Sequence, residues 1–370
     1  MSSTPLLCTP TSSAPPVNPR FLLAQSRGLV GYDKSSQGTW SGSYTFVQMA
    51  DTQFGLMSAM KKAQRLRMVN ALTCGLTKPL IPIPLDLSPS LTVAAAYAEE
   101  IAFAKRCVAC INRLAPRPRF VVVCGDLVNA FPSSAEEQER QVRDYMDVMS
   151  SVDPDIPLVC LCGNHDVGDK PTRATIDLYR GRFGDDYLSF WLGGVKYVCV
   201  NTQLYKDASL CGDVADEQEL WLEKELEKDN VEGAKHVVVF SHIMPFVENK
   251  EEADGYFNLS REVRKPLLDK MLEAGVGKWF CGHFHRNAGG WCDNGKEGAE
   301  RKEMEVVITA AVGCNITTDE RGDLLGLSGM AGVVMDADIS GVRVVNVGEK
   351  GIEHKFHTLN QLEAAAGSQM

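Results

Sequence analysis

The chain has 370 residues, with 38 Lys and Arg against 48 Asp and Glu, giving a net charge of −10. That length can bury a large core, in one large α/β domain or in two. The acidic balance and the lack of a basic tract argue against nucleic acid as a partner, because such binding rests on cationic phosphate contacts.

Residues 1–38 carry Pro, Ser and Gly with little periodicity, and we expect this N-terminal segment to be poorly ordered. Within it, Met1–Pro19 has no basic region leading into an apolar run, so no secretory signal is expected. Tyr44–Val47 reads as the first strand and Leu56–Met68 as a basic helix. The Pro-rich stretch Lys78–Pro89 reads as a loop or insertion. Leu80–Ala98 is strongly apolar, but Pro82, Pro84, Asp86 and Pro89 interrupt it, so it cannot be an unbroken membrane helix. No membrane partner and a cytoplasmic location are the expectations.

Ala95–Leu114 has Ile101, Ala104, Val108 and Ile111 on one helical face and stops before Pro116. The strand Phe120–Cys124 follows. Ser134 with Glu137 is a capping-box signature, and Val142, Tyr145, Met146 and Met149 continue at helical spacing to a strand ending at Cys162. Strand, crossover helix, strand predicts a parallel sheet. Tyr187–Trp191 and Val195–Val200 form a hairpin around Gly193-Gly194, and Asp216–Lys228 is an acidic helix. Strands are expected at His236–Phe240 and Lys278–Cys281, then at Met304–Val312, Gly332–Asp336 and Val342–Val347, the last three in a second sheet. The domain is expected to span residues 39–360, with 361–370 as a tail.

The twelve cysteines read as reduced, buried small hydrophobes, and Cys107 with Cys110 lacks the second pair that a zinc site needs. The informative residues are five polar clusters, four of them at the ends of apolar runs: Asp51-Thr52-Gln53, Gly125-Asp126, Gly163-Asn164-His165-Asp166, Ser241-His242 and Gly282-His283-Phe284-His285. Residues just past the carboxyl ends of neighbouring strands share a crevice. Asp51 and Gln53 would lie on one face if the strand conformation continued, and so would His283 and His285. Four of the seven histidines fall in these clusters, which points to a two-metal phosphoesterase site.

In order and context these clusters resemble the signature of the calcineurin-like metallophosphoesterases, D-x-H, G-D, G-N-H-[DE], a lone H and G-H-x-H. The chain is most similar to the subgroup of cytosolic serine/threonine phosphatase type with D-x-Q-F-G first, here Asp51-Thr52-Gln53-Phe54-Gly55. The similarity runs from about Trp40 to about residue 360, with insertions near 73–93 and 319–332. The resemblance implies a four-layer α/β/β/α sandwich and two divalent ions among Mn, Mg, Fe or Zn. It assigns Asp51, Gln53, Asp126 and His285 to one ion, and Asp126, Asn164, His242 and His283 to the other. It implies hydrolysis of phosphoserine or phosphothreonine in proteins, or of a small phosphoester, with His165 as general acid oriented by Asp166. Arg286 is a candidate for holding a phosphate oxygen. The alternatives are a phosphodiesterase or nucleotide hydrolase, and a metal-binding protein without catalysis.

Overall fold

The protein is described by a computed structural model over residues 18–59, 97–316 and 333–367. Its β-branched and aromatic runs form the strands β3 (Tyr44–Met49), β4 (Val121–Cys124) and β5 (Leu158–Leu161), every residue of which is buried. Such runs suit strands covered on both faces. The three lie parallel and adjacent, with Met49 opposite Val123 and Cys124 opposite Leu161. Two antiparallel strands, β14 (Gly341–Val347) and β15 (Ile352–Thr358), complete this five-stranded sheet.

A second sheet of eight strands contains β6 (Leu188–Leu192), β7 (Val195–Cys199), β8 (His236–Phe240), β9 (Val276–Cys281), β10 (Ala288–Asp293) and β11 (Glu303–Ile308). Its β7, β8 and β9 run parallel. The two sheets meet through aromatic rings. Phe46 stacks on Phe120 at 4.6 Å between ring centroids and meets Tyr197, Phe240 and Phe280 edge-on, arrangements that suit the quadrupoles of the rings.

Helices cover the outer faces. α1 (Ala98–Ile111), α2 (Ala135–Met149), α3 (Arg173–Phe183) and α6 (Leu359–Gly367) pack on the five-stranded sheet through Val108, Tyr145, Ile176 and Leu362. α4 (Gly212–Leu226) and α5 (Arg261–Glu273) cover the other through Leu222, Leu268 and Met271. The result is the four-layer α/β/β/α sandwich.

Several local expectations are corrected. From residue 18 the N-terminal segment is built into the fold: Pro19–Phe21 forms a 3-10 turn, and the hairpin β1 (Ala24–Gln25) and β2 (Gly28–Leu29) lies at the edge of the eight-stranded sheet. The physical reason is Phe21, which is buried against Tyr145 and Phe183. The tail from 361 is likewise part of α6, tied to α1 by the Arg106–Glu363 pair. Ser134 precedes α2 but makes no side-chain capping bond. Strands β10 and β15 were not expected, and the stretch near residue 332 gives only β13 (Val333–Val334), paired with β12 (Asn315–Ile316). Leu56 to residue 59 is helical, whereas the rest of that predicted helix and the segments 73–93 and 319–332 lie outside the described residues. Among the described residues no helix is long and apolar enough to cross a membrane.

Candidate metal centre

All five clusters emerge at one edge of the sandwich, three after β3, β4 and β5 and two after β8 and β9 of the other sheet. The first two stay in step through Asp51 N to Gly125 O at 3.2 Å and Gln53 N to Asp126 O at 3.0 Å. Across the gap between the sheets, the backbone N–H of His283 donates to the Asp51 carboxylate, 3.0 Å from Oδ2.

Strand alternation is not what aims these side chains. Asp51, Gln53, Asp126, His283 and His285 all have left-handed backbones, with φ of 50°, 40°, 49°, 68° and 54°. Among the described residues only Ser26 and Arg27 are other non-glycine cases. Each such conformation costs on the order of 1 kcal/mol, and clusters of them mark functional sites. The glycines answer a spacing need: a Cβ on Gly125 would meet the His242 ring, and one on Gly163 would fall on Asp126 Oδ1.

The convergence yields two ligand groups that share Asp126: Asp51, Asp126 and His285, and Asp126, His242 and His283. Asn164 joins the second group, its Oδ1 lying 3.2 Å from His242 Nε2 while its Nδ2 donates to Asp169 Oδ1 at 2.9 Å. Carbonyls orient the imidazoles. His242 Nδ1 donates to Cys124 O at 2.8 Å and His285 Nδ1 to Cys314 O at 2.5 Å, leaving each Nε2 to face a carboxylate. That is how metal-ligating histidines are held. His283 turns its Nδ1 toward the second group, 3.1 Å from His242 Nε2. Gln53 Oε1 is buried and has no hydrogen-bond partner, a condition that is costly unless something completes it.

The buried groups shift one another, and a cation bound here displaces the protons that Asp51 and His242 otherwise hold. Burial, with Asp126 close by, pushes the Asp51 carboxyl well up against the pull of His242. Burial would do the same to Asp126, but His242 and His165 bring it below the ordinary carboxylate range. Burial lowers His242, yet Asp126 and Asp51 more than offset this and hold it up to about 9. Burial keeps His283 and His285 low, the latter at about 4, so both stay neutral as ligation requires.

The remaining predicted residues separate. His165 has its backbone N–H on Asp126 Oδ1 at 2.9 Å and its Nδ1 on the Asn129 carbonyl at 2.5 Å, with the Phe131 ring tilted against it at 4.2 Å between centroids. Asp166 does not orient that ring: its carboxylate accepts from Gly163 N at 2.7 Å and Leu127 N at 3.1 Å, and burial plus Asp126 pushes it up to about 7. Arg286 has no ion pair among the described residues. Its Nε donates to Ile316 O at 2.6 Å and its buried Nη2 is unpartnered. Sequence reasoning missed Asn129, Cys124 and Cys314, which act through carbonyls that carry no side-chain signal. It also missed Asp169, an acid five residues past Asn164.

Two overlapping carboxylate–histidine groups at the edge of a four-layer sandwich define a metal-dependent phosphoester hydrolase. The chain belongs to the calcineurin-like phosphoesterase family, whose pattern matches residues 91–287. It is 37% identical over 342 residues to the serine/threonine-protein phosphatase CPPED1 of Danio rerio, covering 92% of this chain and 93% of that one. The Homo sapiens protein of the same name is 33% identical over 343 residues, 92% of each chain. A solved purple acid phosphatase, PPD1 from yellow lupin (Lupinus luteus) seeds, is similar in fold at 12% identity and a TM-score of 0.52, covering 88% of this chain and 52% of its own.

The packing at Gly163 yields a test. Gly163→Ala places a methyl on Asp126 Oδ1 although the backbone φ of −109° tolerates any residue. Elemental analysis of the purified variant should find fewer than two divalent ions per chain, with the far-ultraviolet dichroism of the parent; full metal content would show that Asp126 need not sit where it does.

Proposed function

We propose that the cleft hydrolyses phosphomonoesters, with phosphoserine and phosphothreonine in proteins as its substrates. The observation that carries the reading is a pair of ligand groups sharing Asp126, with a histidine outside both groups, His165, within 4.0 Å of the shared carboxylate. The printed names of the relatives support the protein substrate. Asp51, Gln53, Asp126 and His285 would hold one divalent ion, and Asp126, Asn164, His242 and His283 the other. When bound, two such ions supply an activated water and neutralise phosphoryl charge.

The chain's own groups do the rest. The Asn129 carbonyl can only accept, so Nδ1 of His165 carries a proton and Nε2 is the end free to serve the reaction. In the protonated ring, Nε2–H donates to the leaving alkoxide as general acid. Asp166 is a positioning residue: by holding the N–H groups of Gly163 and Leu127 it keeps the loop of Asn164 and His165 against Asp126. Arg286 holds a phosphate oxygen with Nη2. Support comes from that unpartnered donor and from its place beside His285.

Gln53 stands where an imidazole is usual, and its neutral amide oxygen is a harder, weaker ligand, which favours Mg²⁺, Mn²⁺ or iron over zinc. Cytoplasmic residence suits the ten described cysteines, all buried free thiols. No nucleic acid or membrane enters this reading.

With Mn²⁺ or Mg²⁺ added, a phosphopeptide and p-nitrophenyl phosphate should turn over faster than a bis-ester, and the reverse order would replace this reading with a phosphodiesterase. His165→Ala should lower kcat by roughly 10²- to 10⁴-fold at unchanged metal content; lost metal would make His165 a support for the ligands instead. Gln53→His should shift metal preference toward zinc in competition titrations, and an unchanged preference would remove Gln53 from the ligand set.

A further inference from the structure

The rim of the cleft carries an exposed aromatic side chain. Tyr256 is 52% exposed, yet it lies on a braced loop rather than a loose one. Lys206 Nζ donates to the carbonyls of Gly255 at 2.7 Å and Asn258 at 2.6 Å. The loop is closed on itself by Gly255 N to Asn258 Oδ1 at 2.7 Å and Asn258 Nδ2 to Ala253 O at 2.9 Å. Buried Phe284 and half-buried Phe257 support it from beneath, their centroids 5.1 Å apart. The loop therefore fixes where the Tyr256 ring stands at the surface beside the ligand clusters.

Its inner end reaches the metal ligands. The Tyr256 ring lies 5.3 Å from the His283 ring, and its oxygen is 3.4 Å from Asn164 Nδ2. In that long contact the amide donates and the phenol accepts. The phenolic proton has no acceptor among the described residues, although the hydroxyl stands beside Asn164 and the ring beside His283. A phosphoryl group offers what that proton lacks, since its oxygens are charged acceptors and nothing else.

We propose that Tyr256 binds the substrate directly, donating its phenolic proton to a phosphoryl oxygen while its ring forms one wall of the cleft. This rests on the cleft being a phosphoester site, but not on which ester it prefers. Because the bond is made to a group charged in the bound ester and in free phosphate alike, it strengthens binding of both, and its loss appears in KM rather than kcat.

Tyr256→Phe removes the proton and leaves the ring. Expected are a rise of about tenfold in both the KM for p-nitrophenyl phosphate and the inhibition constant of inorganic phosphate, the scale of one hydrogen bond to a charged group. kcat should change less than twofold, and two divalent ions should remain per chain. An unchanged phosphate constant would overturn the proposal. So would a fall in metal content, since Tyr256 would then be a brace for Asn164. Should the bis-ester prove the better substrate, the monoester reading falls, but the phosphate constant measured against bis-ester turnover still decides the role of Tyr256.

Discussion

The site depends on the position of one carboxylate, that of Asp126. It reaches the backbone N–H of His165 within its own sheet and lies 3.4 Å from His242 Nε2 on the other. A carboxylate offers two oxygens and several lone pairs, so it can serve both ligand groups in a way that an amide cannot. This close approach leaves no room around it. A Cβ on Gly163 would fall on Asp126 itself and one on Gly125 on the His242 ring, so the glycines at two of the five clusters follow from how closely Asp126 and His242 are packed. The left-handed backbone of Asp126 itself is part of the same constraint, held by flanking strands whose residues are fully buried.

How much of this could be read from the chain follows from which signals side chains carry. The strands that deliver the ligands are runs such as Val121–Cys124 and Val237–Phe240, whose β-branched and aromatic character marks a doubly covered strand regardless of context. The polar residues that end them were therefore visible as a set. Strand β15, Ile-Glu-His-Lys-Phe-His-Thr, is too polar to stand out, and β10 begins with Ala-Gly-Gly, so both edge strands stayed hidden until pairing supplied their reason. The short apolar run Phe21–Ala24, between Arg20 and Gln25, is too brief to show a period, though the buried Phe21 ring anchors it. The same limit separates Asp166 from the role that adjacency suggested. In sequence it stands next to His165, whereas a turn of helix points its carboxylate back at Gly163 N.

A polar chain inside the apolar layers explains why two sheets hold ligand loops in register. Arg343 of β14 is buried, and burial lowers its guanidinium to about 10. It donates to Thr309 Oγ1 at 2.8 Å, Ile308 O at 3.2 Å and Asn287 Oδ1 at 2.6 Å, and touches His354 Nδ1 at 3.0 Å. The Thr309 hydroxyl donates to Gln48 Oε1, and Gln48 Nε2 donates to Cys281 O at 3.0 Å, directly before the Gly282–His285 loop. The chain thus crosses from the five-stranded sheet to the eight-stranded one and closes on both ends of the segment that carries His283 and His285. Aromatic packing between Phe46, Phe120 and Phe280 favours contact but tolerates sliding, because dispersion is not directional. Hydrogen bonds are directional, and a slip of one sheet would leave buried donors unpaired at about 1–3 kcal/mol each. The antiparallel strands β14 and β15, which contribute no ligand, bring Arg343 and His354 to this junction, and through them the far edge of the small sheet bears on the geometry around Asp126.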